Sequence, residues 1–383
     1  MEIIFWISAI LIFFGMIGYP LSLMLIDKIL KNKENNKDFS FTPYVTILIV
    51  AHNEEKVIKN KLKNVLEIDY PAEKIEILVS SDNSTDRTNE IVREFIKNNS
   101  EYNIKLYEVK ERKGKTNAQN EAIRIAKGEI IVMTDANAIL DKLSVRELVA
   151  SFSSDDIAYV TGQLIYVNDK EWTSKSEVTY WNLDLKMREV ESKIQTITAG
   201  NGALYACRAR EYVDFDPIEC HDSIMPIYYA LNGKRAISNH HAKAFEKAGE
   251  TDKDEFNRKV RMARNLISRI LPSLKILNVF KYKWFTYFYL GHRTIRYLLA
   301  PLHIILYIAN SLILGNGFFY KIFFVAQTIF YLGALFKIIF NINNRFLNMM
   351  YYYCLTLFAQ LKGMYNQLIG KSKPFWEKAE STR

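Results

Sequence analysis

The chain has 383 residues, 49% of them hydrophobic, with 51 Lys and Arg against 42 Asp and Glu and a formal net charge of +9. Its three cysteines, Cys207, Cys220 and Cys354, have no metal-ligand spacing and form no even set, which excludes a disulfide scaffold and leaves buried thiols. The basic residues flank apolar segments and match no nucleic-acid motif, so a membrane surface, and no nucleic acid, accounts for the surplus.

From Ile3 to Ile26 there is no charge, enough residues to cross ~30 Å of hydrocarbon at about 1.5 Å each. No basic stretch precedes this run and no small-x-small site follows it, so residues 1–27 are expected to be an uncleaved anchor. Lys28, Lys31, Lys33 and Lys37 come next, and the positive-inside bias puts the amino terminus outside and the following domain in the cytoplasm.

Residues 42–250 read as an α/β domain. Tyr44–Ala51, Ile75–Ser81, Ile104–Val109 and Ile130–Thr134 are short and rich in β-branched residues, and polar, helix-compatible stretches follow them. Such alternation predicts parallel strands with ligand-binding loops at their carboxyl ends. Those loops carry Ala51-His52-Asn53-Glu54-Glu55, Ser81-Asp82-Asn83-Ser84-Thr85-Asp86, Arg112-Lys113-Gly114-Lys115 and Asp135-Ala136-Asn137. Each has an ordinary structural reading too. Asn53 and Glu54 suit the cap and first turn of a helix beginning near Glu55, Asp82 suits a turn, and Asp222 suits the cap of a helix over 224–231. Gly114-Lys115-Thr116 has the ending of a phosphate-binding P-loop, but the pattern needs Gly where Val109 stands. His240 and His241, adjacent on a predicted strand, are expected to point to opposite faces and not to share an ion with His221.

Taken in order, these loops resemble the nucleotide-sugar-binding half of the family 2 glycosyltransferases, which have the GT-A fold. The resemblance continues through Gly200-Asn201-Gly202-Ala203-Leu204-Tyr205, through His221-Asp222 where the family carries an acidic pair, and through Glu246 and Glu255 to Arg261, which resemble the interfacial segment of membrane-bound polysaccharide synthases. It implies a GT-A Rossmann-like nucleotide-sugar-binding domain with transmembrane helices at both ends, and an inverting, metal-dependent sugar transfer. Ala51, Asn53, Glu54, Asp82, Lys115 and Asp135 would hold the donor nucleotide, expected to be that of a UDP-sugar. Asp135 and Asn137 would hold Mg²⁺ or Mn²⁺, and Asp222 would be the catalytic base, with Asp216 as the alternative. Gly200, Asn201, Glu246, Arg258 and Arg261 would lie on the acceptor or diphosphate side. Two departures stand out: the usual Asp-x-Asp ends in Asn137, and the Gln-x-x-Arg-Trp of processive synthases is replaced by Arg258, Arg261 and Arg264 without a nearby Trp.

Residues 251–290 alternate basic and apolar positions from Arg258 to Trp284, which predicts an interfacial amphipathic helix on anionic lipid. In 291–370, Tyr297–Phe319 and Phe318–Phe340 have membrane length, and Phe346–Leu361 is a shorter, Tyr-rich candidate. Three spans put the basic tail 371–383 outside, and two put it inside with the sheet domain. The functions implied are growth of a cell-surface polysaccharide at the plasma membrane beside other cell-envelope assembly proteins, transfer to a polyprenyl-phosphate or other lipid-linked acceptor, or a non-catalytic membrane scaffold.

Overall fold

The computed structural model describes residues 1–31, 34–167, 172–247, 251–340, 342 and 344–375, with side chains from 183 onward in the helix Trp172–Ile194. Lys33 and residues 376–383 of the tail lie outside the described residues. Two compact units emerge: a sheet unit of Lys31–Asn168, Leu185–Ala248 and Lys373–Arg383, and a helical unit of Met1–Leu30, Asp169–Asp184 and Gly249–Ser372.

The sheet unit has eight strands in the order β3-β2-β1-β4-β7-β6-β8-β5. β1 (Val45–Ala51), β2 (Ile75–Ser81), β3 (Ile104–Glu108) and β4 (Ile130–Asp135) are parallel, as their alternation with helices predicts. Every residue of β1 is buried, the pattern of a strand covered on both faces, which is why it reads as an unbroken apolar run. β1 pairs with β2 on one side and β4 on the other, so the strand order reverses there, and the crevice at such a switch point is where open α/β sheets bind ligands. Val50 is in register with Asp135, which places the acidic strand end at that crevice.

Beyond β4 the sheet becomes mixed. β7 (Leu204–Arg208) runs antiparallel to β4 and to β6 (Ile157–Tyr166), β6 is parallel to β8 (Arg235–Glu246), and β5 (Ile139–Leu140) is antiparallel to β8. Thr161 pairs with Ser238 but Gln163 pairs with Lys243, so β8 bulges. His240 and His241 sit in this bulge with ring centroids 4.1 Å apart, contrary to the expectation of opposite faces, because the extra residues break the two-residue alternation.

In the helical unit, Glu2–Leu30 forms a continuous apolar segment of 29 residues with a π-turn at Phe14–Gly18, and Phe318–Phe340 forms a second of 23. Among the described residues these two helices are long and apolar enough to cross a membrane. Gly15 faces Ile295, where a Cβ would come within 2.7 Å, and Gly291 faces the Tyr19 ring, where it would come within 2.2 Å; both glycines permit close approach. The segment predicted as Tyr297–Phe319 is instead a helix of 14 residues, Leu299–Leu312, bent by 63° from Trp284–Tyr297. At about 1.5 Å per residue it falls short of the hydrocarbon thickness by itself. Arg345–Leu368 is longer than its predicted counterpart.

The expected amphipathic helix over 258–284 is also subdivided. It comprises Asp252–Met262, Leu266–Ile270, a 3₁₀ turn at Leu274–Leu277 and Val279–Tyr282, and Pro272 stands at the main break, where a helix would lose a donor and clash. Its amphipathic character persists nonetheless, with Leu274, Leu277, Val279 and Phe280 exposed beside Lys275 and Lys281. Thr251 caps the first helix by accepting from the Asp254 N–H at 3.1 Å, and Asp252, Asp254 and Glu255 favour its positive end.

Candidate active site at the strand ends

The loop after β1 is held by the loop after β2. Asn53 has φ +53°, a left-handed conformation that Asn tolerates better than most residues, and its Oδ1 accepts from the Thr85 N–H at 2.8 Å. The Glu54 N–H donates to Thr88 Oγ1 at 2.8 Å. The following helix begins only at Ile58, with Val57 at its N-cap and no side-chain cap, so Asn53 and Glu54 clasp the neighbouring loop and do not start a helix at Glu55.

Asp82 is 3% exposed at the end of β2. Its Oδ1 accepts from the Lys113 N–H at 3.2 Å and its Oδ2 from the Gly114 N–H at 2.9 Å. Burial pushes its carboxyl above the usual range, opposed by those two amides and by His52 and Arg112. Gly114 has φ +97°, a conformation costly for any side chain, and a Cβ there would lie 2.5 Å from the Pro374 carbonyl oxygen. The Arg112 guanidinium stands 4.8 Å from the centre of the Phe375 ring. The described end of the basic tail therefore packs on the loop that Asp82 holds.

Three charged groups meet beside Gly202. Lys115, the first residue of the helix Lys115–Ile123, places Nζ 2.5 Å from Asp135 Oδ1 and donates to the Gly202 carbonyl at 2.9 Å. A Cβ on Gly202 would lie 3.2 Å from Lys115 Nζ and 3.8 Å from Asp222 Oδ2, so these two side chains border the space that this glycine leaves open, and Asp135 is tied to them through its ion pair with Lys115. Burial disfavours the Lys115 ammonium, but Asp135 and Asp222 more than offset it and its pKa is raised.

Asp222 lies in the first turn of the helix His221–Leu231, whose N-cap is Cys220, so the capping role open to Asp222 in the sequence is not the one it takes. Its carbonyl accepts from the Gly200 N–H at 2.7 Å. His221 beside it is buried, with the hydroxyls of Tyr205 at Nδ1 and Tyr212 at Nε2, each at 3.1 Å. Burial and Lys115 pull its pKa down to about 3, which keeps the ring neutral, and both nitrogens are engaged within the protein. Asp216 is an exposed turn residue accepting from the Ile218 N–H at 2.9 Å.

Gly200 and Asn201 brace this wall. The Arg188 guanidinium donates to the Gly200 carbonyl at 2.7 Å, and a Cβ on Gly200 would strike the Tyr159 hydroxyl at 2.1 Å. Asn201 donates to Thr161 Oγ1 at 3.1 Å and accepts from the amides of Ala203 and Leu204 at 3.1 Å each. Glu246 ends β8, opposite Tyr166. Arg258 and Arg261 belong to the helical unit, where Arg258 forks onto Glu255 at 2.8 and 3.0 Å. Arg264 lies beyond the end of their helix, so the three arginines do not form one continuous helical edge.

Lys61, which sequence reasoning passed over, is 0% exposed on the helix Ile58–Leu66. Its Nζ donates to Thr134 Oγ1 at 2.8 Å and to the Ala138 carbonyl at 2.6 Å, and burial lowers its pKa to about 7. The available signal was a lysine on the same face as buried Ile58, Leu62 and Val65.

A divalent cation fits the donor set in a limited way. Among the described residues no group of three His, Cys, Asp or Glu could hold one, so these residues offer no complete cage. Asp135 and Asn137, both partly exposed, supply one carboxylate and one amide oxygen. That set suits Mg²⁺ or Mn²⁺, which bind through one or two carboxylates together with substrate phosphates.

The fold defines the class, an α/β protein of the GT-A type. It is similar to the mannosyltransferase PcManGT from Pyrobaculum calidifontis, solved in complex with GDP-Man and Mn²⁺, at TM-score 0.74 and 22% identity over 96% of this chain and 99% of that one. The family described as Glycosyl transferase family 2 matches residues 46–213, and Glycosyl transferase family group 2 matches residues 130–360, more than half of the chain. The chain belongs to the family 2 group of glycosyltransferases. It is 30% identical over 164 residues to the beta-monoglucosyldiacylglycerol synthase of Nostoc sp., covering 42% of this chain and 35% of that one. With the poly-beta-1,6-N-acetyl-D-glucosamine synthase of Staphylococcus epidermidis it shares 29% over 138 residues, covering 36% and 30%. The matches thus span about a third of the length of these curated relatives.

Proposed function

We propose that the protein is a membrane-bound inverting glycosyltransferase that moves a sugar from a UDP-sugar to a growing cell-surface polysaccharide. The observation that carries this reading is the meeting of Asp222 with Lys115, itself ion-paired to Asp135, at the open space beside Gly202. Asp82 and the Asn53/Glu54 loop hold the nucleoside. Asp222 takes the proton of the acceptor hydroxyl as its oxygen bonds to the anomeric carbon, while the bond from that carbon to the diphosphate breaks on the opposite face. The electron pair and negative charge leave with the diphosphate, and the Lys115 ammonium is placed to meet that charge. A divalent cation, when bound at Asp135 and Asn137, supplies further stabilisation of the leaving group. Glu246, Arg258 and Arg261 are assigned to the acceptor or diphosphate side on family resemblance.

The similarity to a glycolipid synthase favours a second reading, transfer to a lipid-linked acceptor. A non-catalytic scaffold is disfavoured by the presence together of Asp82, Asp135 and Asp222. Membranes containing the protein should convert at least one radiolabelled sugar nucleotide from a panel of UDP-sugars and GDP-mannose. A product of high mass supports the polysaccharide, a product extracted into organic solvent supports the lipid acceptor, and no turnover of any donor supports the scaffold.

The packing of Pro374 on the Gly114 loop supports a common side of the membrane for tail and sheet unit, hence an even number of crossings between them. Lys28 and Lys31 at the carboxyl end of the first apolar helix favour the cytoplasm of a plasma membrane for that side. Cysteines introduced at exposed Lys97 and Lys371 should both be shielded from an impermeant maleimide in intact cells and both react after lysis. Labelling of either in intact cells would reverse the assignment for that segment.

A further inference from the structure

The helix Ile58–Leu66 holds the acidic loop from within the fold. Burying an ammonium without partners costs several kcal/mol, so Lys61 at 0% exposure requires compensation. Its two acceptors are Thr134, the residue before Asp135, and Ala138, the residue after Asn137. One side chain thereby ties both ends of the turn that carries the donor-side carboxylate and amide. Three residues along, Asn64 Nδ2 donates to the Leu140 carbonyl at 2.9 Å and Asn64 Oδ1 accepts from the Leu140 N–H at 2.8 Å. Residues three apart share a helix face, so Lys61 and Asn64 brace one continuous segment, 134–140. The amine has enough protons for both acceptors whether or not it carries its charge.

We propose that Lys61, supported by Asn64, is a positioning residue for diphosphate binding, one that presets the Asp135–Asn137 turn in its binding geometry. The inference rests on the reading of Asp135 as a donor-side group. Preorganisation of this kind lowers the ordering cost when ligand binds, and its loss falls on the phosphate end of the ligand. The nucleoside end is held separately, by Asp82 and the Gly114 loop.

The probes are UDP with Mn²⁺, titrated calorimetrically into full-length detergent-purified protein, and uridine, measured by competition. Work well below the unfolding midpoint of each variant separates positioning from loss of fold. Lys61→Met is expected to weaken UDP–Mn²⁺ binding about tenfold or more, as expected when hydrogen bonds that hold a binding loop are removed, with uridine affinity unchanged. Asn64→Ala should shift the same ratio in the same direction by less. Folded Lys61→Met with wild-type UDP–Mn²⁺ affinity, or with equal losses for UDP and uridine, overturns the proposal. Should Lys61→Met fail to fold, Asn64→Ala decides by the same criterion. Wild-type affinity for UDP–Mn²⁺ in Asp135→Asn would instead overturn the donor-side reading of Asp135 and leave the brace without a ligand to position.

Discussion

Asp222→Asn is expected to abolish sugar transfer while leaving UDP affinity within a few fold of wild type. The carboxylate borders the open space at Gly202 together with Lys115, whose ammonium is engaged by Asp135. An amide cannot take the proton from the attacking hydroxyl, and positioned general bases contribute about 10²- to 10⁴-fold in rate. The substitution is nearly isosteric, and the backbone carbonyl that accepts from Gly200 remains, so the wall of the site should keep its shape. Steady-state rates and calorimetric UDP titration on the same preparation check this. Parallel collapse of UDP binding would make Asp222 a structural residue and remove it from the chemistry.

Asp135→Asn should fail differently, losing donor binding and turnover together. It removes the anion that holds Lys115 at 2.5 Å and the only carboxylate of the Asp135–Asn137 pair. A drop in turnover of about 10²- to 10³-fold matches the usual effect of deleting one preorganised electrostatic group at a transition state. Chelation should likewise stop the wild-type reaction, and Asn137→Asp should lower the metal concentration needed, because a carboxylate replaces a neutral oxygen. Activity measured against a Mn²⁺ series with and without EDTA tests both. Full turnover in excess chelator would take the cation out of the reaction and leave Lys115 as the counter-charge.

Much of this was legible in the chain. Tyr44–Ala51, Ile75–Ser81 and Ile130–Thr134 announced themselves as strands because strands covered on both faces need continuous apolar, β-branched runs, and such runs are local. The ends of these strands, and the loop after Ile104–Glu108, declared Asp82, Asp135 and Lys115 because polar residues there stand out against those runs. The first apolar helix was equally plain, since an uncharged apolar run of membrane length is visible residue by residue.

What the sequence by itself determined, then, was the succession of elements and the residue types at their ends. The tertiary structure decided which ends meet. Strand order put β4 beside β1 and brought Asp135 to the switch point, and folding of the later segments brought Gly202 and Asp222 to Lys115 across intervals of about a hundred residues. It placed Pro374 against Gly114, paired His240 with His241 through a bulge, and buried Lys61 under the acidic turn. None of these is set by local propensity. Each follows from pairing and packing between distant segments, whose free energy depends on surfaces that exist only once the sheet has formed.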